Sequence, residues 1–572
     1  MTDAIDMGEM NAALDNEQAA AVYSDAKRLL VLAPPGSGKT RTLAYRFARL
    51  VSEGASPRNV MAITFTIRAA EEMRQRILSL VRIDASQVAV GTFHSFCLRL
   101  IERLRPGVRL YGRADTIAFF RKTGAKNPVK AASRVSSVKN GARPVLEDED
   151  ALFNAYQAHL IEAGALDLDD LIPEAIRLIE QGGDVLPRPE HILVDEYQDI
   201  NPAQERLLKL LLKPDRLRLA NAGGDKTGCQ NENFLTGANR AFAVSPPSLF
   251  VIGDPDQSIY SFRGACLENI LRFEDNHPGA TVLRLAKNYR STENIVVAST
   301  SLIQNNAKRL SSEARPHRRA GEAIRIVECN DGKSQAVFIV KEIEKMMGGL
   351  SSITASSSGV RRFSDFAVFF RTHRQADVLI KAFSKSVIPY QYVSGAGDDM
   401  GAAIVLLRDA VIGSDENVAG FVKARLREAG VERWATLPHL HWYAERTGKD
   451  ALDAFIKETL LMEEADNLDI VADKVSLMSI HSAKGLEFPV VFIVGASDGV
   501  MPLRFKNSDN DIEEERRLFY VAMTRAKDAL YITCEHGVPS LFLDELGSSS
   551  INRLQIERKK TARRMKQKSL FE

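Results

Sequence analysis

Short apolar runs alternate with helical stretches along most of this 572-residue chain. The clearest runs in the first half are residues 29–32, 60–63 and 192–194, and those in the second half are 366–370 and 489–494. Short apolar strands that alternate with helices are typical of parallel sheets with helices on both faces. We therefore predict an α/β fold with two parallel-sheet domains, and we expect the last two runs to share one sheet despite their separation.

A glycine-bearing segment lies between the first apolar run and a helical stretch. It reads Ala33-Pro34-Pro35-Gly36-Ser37-Gly38-Lys39-Thr40-Arg41. Its glycines let the backbone fold around an anion, and consecutive N–H groups at the helix N-terminus point at that anion. Lys39 would reach the outer phosphates and Thr40 would ligate Mg²⁺. The generic pattern opens with glycine, where this chain has Ala33, but the donors that matter follow the two prolines. The segment predicts a nucleotide phosphate site.

Two adjacent carboxylates end the apolar run at residues 192–194. Asp195 is placed to hold Mg²⁺, and Glu196 is placed to orient and deprotonate the attacking water. Two adjacent acids on a surface strand would be ordinary. Here they end an apolar run, which is typical of a buried strand, and they precede Tyr197-Gln198-Asp199. The pair therefore predicts the hydrolytic half of the nucleotide site.

The remaining segments resemble the ordered motif set of superfamily 1 helicases of the UvrD/Rep type, and they run through nearly the whole chain. The segments that carry the resemblance are residues 14–18, 64–73, 91–96, 194–199, 251–260, 285–291, 479–488 and 520–527. Any one of them could be coincidence, but the ordered set could not. The resemblance implies an α/β protein with two RecA-like P-loop NTPase domains that carry helical inserted subdomains, and it implies ATP-driven work on DNA.

The resemblance also implies a domain plan. We expect a first RecA-like domain at 1–95 and 185–283, a helical inserted subdomain at 96–184, a second RecA-like domain at 284–395 and 472–550, a reduced second inserted subdomain at 396–471, and a basic flexible tail at 551–572.

Several matched positions have a physical role at the nucleotide. The Gln18 amide can donate and accept at once, so it can read the adenine edge, which favours ATP over GTP. The resemblance implies that Tyr289 lies against the adenine face and Glu487 on the ribose. It also implies that Gln257 lies between the terminal phosphate and the DNA.

Two arginines are candidates for stabilising the transition state of hydrolysis. Arg290 and Arg525 lie within the matched segments, and a planar guanidinium suits the charge spread over the transferred phosphoryl oxygens. The alternative for either residue is a surface ion pair, which is the usual role of an isolated arginine.

Aromatic side chains next to polar, glycine-containing segments can stack on bases without reading sequence. The candidates are Phe65, Tyr260 and Phe262, for each of which core packing is the alternative. The family usually has Trp at the position of Phe262, so stacking there should be weaker. Candidates for contacts with the DNA backbone are Thr92, His94, Arg263 and His481, each of which could equally be a structural polar group.

Composition limits the alternatives but does not decide among them. The chain has 76 Lys and Arg against 74 Asp and Glu, a net charge of +2, so any electrostatic groove for nucleic acid must be local. Five scattered cysteines without a CxxC pair argue against a disulfide framework, a zinc ribbon or an iron–sulfur cluster. No apolar run reaches the ~18 residues of a membrane span, and the acidic start is unlike a signal peptide. We expect a cytoplasmic protein without membrane partners.

Three segments depart from the family pattern. The stretch between residues 396 and 471 is short where UvrD and Rep have a much larger subdomain that contacts duplex, which puts duplex opening in question. Residues 221–248 form an insertion rich in Gly, Asn, Ala and Ser, which favours a surface loop over a partner site. Residues 351–359 form a serine-rich loop.

The C-terminal tail has a separate signal. Eight Lys and Arg residues face two Glu within residues 553–572, as expected of a solvated basic tail. Its ending, with Gln567, Leu570 and Phe571, is similar to the short peptide with which bacterial proteins dock on the sliding clamp. The clamp is therefore a candidate partner, beside single-stranded and tailed duplex DNA.

The leading hypothesis is an ATP- and Mg²⁺-dependent 3′–5′ DNA helicase or single-strand translocase in repair, replication or recombination. One alternative is a translocase that displaces proteins from DNA with little unwinding. A second, of a different class, is a clamp-bound scaffold whose ATP site acts as a conformational timer. An RNA helicase is disfavoured because the motif set resembles that of DNA motors, and a nuclease fusion is disfavoured because little of the chain remains for another active site.

Overall fold

A computed structural model of the chain describes eleven ranges. They are residues 12–141, 150–181, 189–213, 246–310, 313–348, 361–393, 398–408, 410–428, 430, 438–504 and 511–556. The serine-rich loop at 351–359, most of the insertion at 221–248, and the clamp-peptide residues Gln567, Leu570 and Phe571 lie outside these ranges.

The described strands and helices alternate through most of the chain. The strands are β1 (Arg28–Leu32), β2 (Val60–Thr64), β3 (Val90–Thr92), β4 (Arg109–Tyr111), β5 (Ala165–Asp167), β6 (His191–Val194), β7 (Ser248–Gly253), β8 (Thr281–Arg284), β9 (Lys287–Asn288), β10 (Arg315–Pro316), β11 (Ile324–Cys329), β12 (Phe366–Phe370), β13 (Tyr390–Val393), β14 (Val475–Ser479), β15 (Phe488–Ile493), β16 (Ala526–Glu535) and β17 (Ile551–Gln555). The helices are α1 (Asn16–Tyr23), α2 (Lys39–Ser52), α3 (Ile67–Leu80), α4 (Phe93–Leu104), α5 (Arg113–Lys122), α6 (Pro128–Lys139), α7 (Asp150–Glu162), α8 (Leu171–Glu180), α9 (Pro202–Leu211), α10 (Glu268–Leu271), α11 (Phe273–Asn276), α12 (Glu293–Ile303), α13 (Gly332–Met346), α14 (His373–Phe383), α15 (Asp398–Arg408), α16 (Val418–Glu428), α17 (Gly448–Leu460) and α18 (Ile512–Met523). None of the described helices is long and apolar enough to cross a membrane.

The chain divides into two compact units. The first unit comprises residues 1–289, 308–315 and 394–469, and the second comprises residues 290–307, 316–393 and 470–572. Each unit is built around its own parallel sheet, as the alternation of apolar runs and helices predicts.

The first unit contains a six-stranded parallel sheet in the order β3-β2-β6-β7-β1-β8. Its strands are apolar on both faces because helices cover both sides. Phe47 of α2 and Met73 of α3 lie in the core on one face, while Ile101 of α4 and Ile172 of α8 lie in the core on the other. The sheet thus holds its loops on a rigid base.

A helical subdomain interrupts the first unit between β3 and β6. A small core around Phe120 and Tyr156 holds α5, α6 and α7 together. Lys139 at the end of α6 is buried and pairs with Asp167 at 2.7 Å and Asp170 at 2.8 Å. Within the helical inserted subdomain that we expect at 96–184, residues 165–167 form β5, which pairs with β4, and α8 begins at Leu171.

The short insert, expected at residues 396–471, lies in the first unit up to residue 469. It forms its own core and packs on the helical subdomain. Helices α15, α16 and α17 enclose a core that includes Leu407, Phe421 and Phe455. Arg408 donates to both carboxylate oxygens of Asp115 at 3.1 and 3.2 Å, and Lys457 pairs with Glu102 at 2.5 Å. The insert is therefore attached by ion pairs as well as by apolar contacts.

The second unit contains a seven-stranded sheet in the order β13-β14-β12-β15-β16-β11-β17. Strand β12 pairs in parallel with β15, from Phe366 opposite Val490 to Phe369 opposite Ile493. This pairing confirms that the two apolar runs of the second half share one sheet. The α/β fold class with two parallel-sheet domains is likewise confirmed.

A substitution of Phe492, on the central strand β15, tests the packing of the second unit's core. It is fully buried, and its ring stacks on Tyr531 with the centroids 4.7 Å apart. We expect Phe492→Ala to lower the free energy of unfolding of this unit by about 3–5 kcal/mol. The measurement is urea unfolding followed by hydrogen exchange of the β15 amides. Val387→Ala is the matched control because Val387 is 94% exposed and its loss should cost less than about 0.5 kcal/mol. Equal urea midpoints for the two variants would contradict the proposed core.

Candidate functional site

Three loops with polar residues leave the same edge of the first unit's sheet. They follow β1, β6 and β7, and β7 lies between the other two strands. Because parallel strands end at one edge, the glycine-bearing loop, the acidic pair and the segment at residues 254–258 lie side by side. The adjacency of these strands therefore assembles the predicted nucleotide residues of the first unit.

The glycine-bearing loop has the conformation that its sequence requires. Gly36 and Gly38 have φ angles of 73° and 85°, in the left-handed region that favours glycine. Helix α2 begins at Lys39, whose Nζ donates to the Ala33 carbonyl at 3.1 Å. The loop and the first turn of α2 thus have a backbone that can surround a phosphate, with Pro34 and Pro35 between β1 and Gly36, and Ser37 between the two glycines.

The Gln18 side chain is buried against this loop. Its Nε2 donates to the Ser37 carbonyl at 2.9 Å, and its backbone N–H donates to Asp15 at 2.8 Å in a capping box. A Cβ atom added to Gly38 would lie only 2.7 Å from Gln18 Nε2. Glycine at position 38 is thus required both by backbone conformation and by the close approach of Gln18.

Tyr289 lies at the same place. Its backbone N–H donates to the Gly36 carbonyl at 2.9 Å, and its hydroxyl donates to the Asp15 carboxylate. Asn288 Nδ2 adds a bond to the Pro35 carbonyl at 2.8 Å. The Arg41 guanidinium donates to the Ala13 carbonyl and lies over the Tyr45 ring. The structure thus brings Gln18 and Tyr289 together beside the phosphate loop.

Thr40 and Asp195 fit a divalent cation. Their side-chain oxygens, Oγ1 and Oδ2, are 3.5 Å apart, and hydroxyl and carboxylate oxygens are ligands that Mg²⁺ prefers. Burial raises the pKa of Asp195 to about 7, the neighbouring Glu196 adds to the rise, and Lys39 opposes it. A cation at this point would compensate the buried charge, so the residues present suit Mg²⁺.

Glu196 and Gln257 lie on the two loops beyond Asp195. Glu196 has a φ of 50° and is the one non-glycine residue with positive φ in the described part of the chain. Gln257 is buried, and its Nε2 donates to Asp254 at 2.8 Å. Burial and the nearby Asp256 raise the pKa of Asp254 to about 7, while Lys39 opposes the rise. Acidic side chains and amide side chains therefore lie next to one another at this edge of the first unit's sheet.

The second unit contains its own cluster of predicted residues. Arg290 Nε donates to Glu487 at 2.6 Å, and Arg290 Nη1 donates to the Thr524 carbonyl at 3.2 Å. Arg525 is buried and donates to the carbonyls of Val521 and Leu486 at 3.0 and 3.3 Å. The structure thus brings Arg290, Glu487 and Arg525 together, although they are up to 235 residues apart in the chain.

The pKa of Glu487 is set by this cluster. Burial raises it, but Arg290 and Lys527 outweigh burial and hold the pKa of Glu487 at about 2. Lys527 pairs with Glu487 at 2.7 Å. Glu487 is therefore a carboxylate at neutral pH, which suits acceptance of hydrogen bonds from ribose hydroxyl groups.

The three predicted aromatic residues form a row in the first unit. Phe65 stacks on Tyr260 with centroids 5.0 Å apart and planes at 13°, and Tyr260 is 6.0 Å from Phe262. Arg263 lies over both Tyr260 and Phe262, at 5.4 and 5.8 Å. Tyr260 is buried in this row, whereas Phe262 is 62% exposed. Phe262 is tilted by 55° against Tyr260, and its exposed ring at the end of this row is accessible for stacking on a base.

Two of the polar candidates for DNA contact, Thr92 and Arg263, have structural partners here. Thr92 caps α4 by accepting from Ser95 N at 3.1 Å. Burial lowers the pKa of His94, although Asp169 and Glu463 oppose the shift, so this imidazole is neutral at pH 7. Arg263 pairs with Glu463 of the short insert at 2.5 Å. His481 lies in the second unit, in the turn after β14.

Other polar residues join these sites without having been assigned a role from the sequence. Lys527 follows Arg525 by two positions, and Gln198 and Asp254 lie inside matched segments, so the motif matches could have indicated them. Arg309 lies outside every motif and forms a two-pronged ion pair with the buried Asp256, with Nη2 2.7 Å from Oδ2. No local pattern in the sequence identifies that pair.

Gly38→Ala tests the contact between the phosphate loop and Gln18. The added Cβ must displace the Gln18 amide from the Ser37 carbonyl, so we expect nucleotide affinity to fall by about tenfold or more. Gly54→Ala is the matched control: Gly54 also has positive φ, at 102°, but nothing lies within 4 Å of its added Cβ. Both variants should lose about 1–2 kcal/mol of stability. Titration with a fluorescent ATP analogue measures affinity, and equal affinity in both variants would contradict this account.

Comparison with known proteins agrees with this geometry. The model of the UvrD/REP helicase N-terminal domain matches residues 14–122 and 123–278, and the model of the UvrD-like helicase C-terminal domain matches residues 283–397 and 437–537. Among solved structures, the C-terminal domain of a possible DNA helicase from Lactobacillus plantarum WCFS1 aligns with 46% of this chain and 98% of its own. The TM-score of 0.24 and the identity of 15% are too low to support a conclusion about the fold.

Two relatives share sequence along most of their length. The ATP-dependent DNA helicase PcrA of Staphylococcus epidermidis is 30% identical over 679 aligned positions, which cover 94% of this chain and 87% of that protein. The PcrA protein of Staphylococcus aureus strain Mu50 is 30% identical over 681 positions, with the same coverage. The first alignment spans about 538 residues of this chain, which is 94% of 572, so about 140 of its 679 positions are residues of the relative without a counterpart here. With matches over both halves of the chain and over nearly its whole length, this protein belongs to the UvrD/REP helicase family.

Proposed function

We propose that this chain is an ATP-driven DNA helicase or single-stranded-DNA translocase that moves 3′ to 5′ and acts in DNA repair, replication or recombination in the cytoplasm. One observation carries the proposal. A single segment, residues 254–263, contains both Gln257 beside the acidic pair and the rings of Tyr260 and Phe262. Movement at one end of so short a segment is transmitted to the other end, which is what coupling of hydrolysis to a DNA track requires.

ATP is the nucleotide that the first unit suits. In this proposal Gln18 and Tyr289 bind the adenine, and the backbone N–H groups of residues 36–40 hold the phosphates with Lys39. Glu487 of the second unit accepts from the ribose. The buried contact between Gln18 and the phosphate loop supports this assignment, because base recognition and phosphate binding then share one side chain.

Hydrolysis breaks the bond between the terminal phosphoryl group and ADP. Glu196 takes a proton from the attacking water, and Lys39 offsets charge on the phosphoryl oxygens. Mg²⁺, held by Thr40 and Asp195, would neutralise charge on the phosphate oxygens. Arg290 and Arg525 are assigned to the charge of the transition state, a role that suits their planar guanidinium groups. Gln257 senses the terminal phosphate.

The DNA track in this proposal is the row of Phe65, Tyr260 and Phe262. Base stacking is tolerant of sequence, as a translocase needs. Arg263 would exchange Glu463 for a DNA phosphate, while Thr92, His94 and His481 would contribute hydrogen bonds. The near-zero net charge supports local contacts of this kind over strong general binding.

Strand displacement tests the helicase activity and its direction. We expect ATP-dependent opening of a duplex with a 3′ single-stranded tail, no opening of a 5′-tailed duplex, and no activity for Lys39→Ala, because the lysine contacts the transferred phosphate. A fluorophore and quencher on opposite strands report the opening. Opening of the 5′-tailed duplex would contradict the direction.

The runner-up function predicts a different result in the same assay. The short insert at residues 396–471 favours a translocase that displaces proteins with little unwinding. In that case neither duplex opens, yet single strands still stimulate ATP turnover. A clamp-bound scaffold predicts instead that Glu196→Gln leaves function in cells intact.

The sliding clamp is the proposed protein partner, through Gln567, Leu570 and Phe571. We expect Leu570→Ala with Phe571→Ala to lower affinity for a bacterial sliding clamp by about 100-fold, since each apolar side chain loses burial of about 1.5–3 kcal/mol. Surface plasmon resonance on immobilised clamp measures this. Ser569→Ala is the neighbouring control and should bind as the parent chain does. Unchanged affinity of the double variant would remove the clamp as a partner at this peptide.

A further inference from the structure

The buried glutamine Gln198 joins two loops of the nucleotide site. It lies in a 3-10 turn at residues 197–199, directly after the acidic pair, and is fully buried. Its Nε2 donates to Glu196 Oε2 at 2.5 Å, and its Oε1 accepts from the backbone N–H of Asp254 at 2.9 Å. One side chain therefore spans the distance between the loop after β6 and the loop after β7.

The orientation of this amide is fixed by its partners. A backbone N–H can only donate, so the oxygen end of the amide must face Asp254. The nitrogen end must then face Glu196, which accepts through a carboxylate oxygen. A glutamate at position 198 could still accept from the backbone N–H of Asp254, but it would place a second carboxylate against Glu196.

The neighbouring backbone leaves space for the amide. A Cβ atom on Gly253, the last residue of β7, would lie 2.4 Å from Gln198 Oε1 and 3.2 Å from Tyr197 N. Gly253 is not among the glycines with positive φ, so conformation alone does not demand glycine here. The absence of a side chain at position 253 is what allows Gln198 to reach Asp254.

Glu196 needs support of this kind. Its backbone lies in the left-handed region, which a glutamate rarely adopts and which surrounding structure must hold in place. Asp254, whose backbone N–H donates to Gln198, accepts through its carboxylate from Gln257 Nε2 at 2.8 Å. The side chains of Glu196, Gln198 and Gln257 thus form a continuous series of hydrogen bonds through the Asp254 residue.

We propose that Gln198 is a positioning residue for hydrolysis: its amide sets the direction of the Glu196 carboxylate and ties that carboxylate to the segment that carries Gln257. The inference rests on the proposed role of Glu196 as the base. A carboxylate that is free to rotate would spend less time aligned with the attacking water, so the effect falls on turnover and not on nucleotide binding.

The first test replaces the amide with an uncharged side chain of similar length. In Gln198→Met, we expect kcat for ATP hydrolysis at saturating single-stranded DNA to fall by about 10- to 100-fold. The KM for ATP and the affinity for a fluorescent ATP analogue should stay within about twofold of the parent values. A parent-like kcat would overturn the inference.

The matched control is Gln204→Met, six residues further along. Gln204 is also a buried glutamine of the first unit, but its Oε1 accepts from Asn201 N at 2.9 Å to cap α9. We expect a modest fall in Tm with an unchanged kcat. If kcat falls equally in both variants, general loosening of the unit explains the loss and Gln198 has no positioning role.

A double-mutant cycle asks whether Gln198 acts through Glu196. Single-turnover release of radiolabelled phosphate is compared among Glu196→Ala, Gln198→Met and the two combined. If Gln198 only orients Glu196, its substitution adds nothing once Glu196 is gone. Full multiplication of the two losses would overturn the inference.

Gln198→Glu keeps the proposal testable if the Met variant unfolds. This variant retains an acceptor for Asp254 N–H but repels Glu196, so we expect a kcat at least as low as that of Gln198→Met. A parent-like kcat here would also overturn the inference. Failure of the proposed function gives a separate result, since Glu196→Ala would then hydrolyse ATP as fast as the parent chain.

Discussion

The arrangement of the first unit depends on one constraint: the carboxyl ends of β1, β7 and β6 lie next to one another in a parallel sheet. Each strand is followed by one loop, so the phosphate loop, the segment at residues 254–258 and the acidic pair lie side by side because of the strand order alone. The apolar faces of the strands, covered by helices on both sides, supply the rigidity. Because β7 is the middle strand of the three, its displacement would separate the acidic pair from the phosphate loop.

Buried amides carry much of the polar organisation at this edge. Gln18, Gln198 and Gln257 each bond to a loop other than their own or to a neighbouring carboxylate. An amide can donate and accept at once without adding net charge, so it can link buried groups at a lower desolvation cost than a second ion would. Lys39, Asp195 and Glu196 are the charged groups at this edge to which we assign the chemistry of hydrolysis.

Much of the fold and of the nucleotide site could be predicted from the sequence, because their signals are local. The loop around Gly36 and Gly38 is recognisable from a few adjacent residues, and the alternation of apolar runs predicted both sheets. The pairing of Arg309 with Asp256 and of Arg263 with Glu463 could not be predicted. Those partners are 53 and 200 residues apart, so only the folded backbone brings them together. Gln198 lies inside a matched segment, but its contacts depend on Gly253 at the end of β7 and on Asp254 just after it.

In the sequence, the short insert lies within the connection between two neighbouring strands of the second sheet. It joins β13 to β14, which are neighbouring parallel strands with Tyr390 opposite Val475. Parallel neighbours cannot be linked by a tight turn, since the chain must travel back along the sheet before the next strand begins. A long connection is therefore obligatory at this point, and its length is not set by the register of the strands. Whole helices can be added or lost here over evolutionary time while every strand pair stays aligned, so the size of this subdomain can diverge without any change in the register of the second sheet.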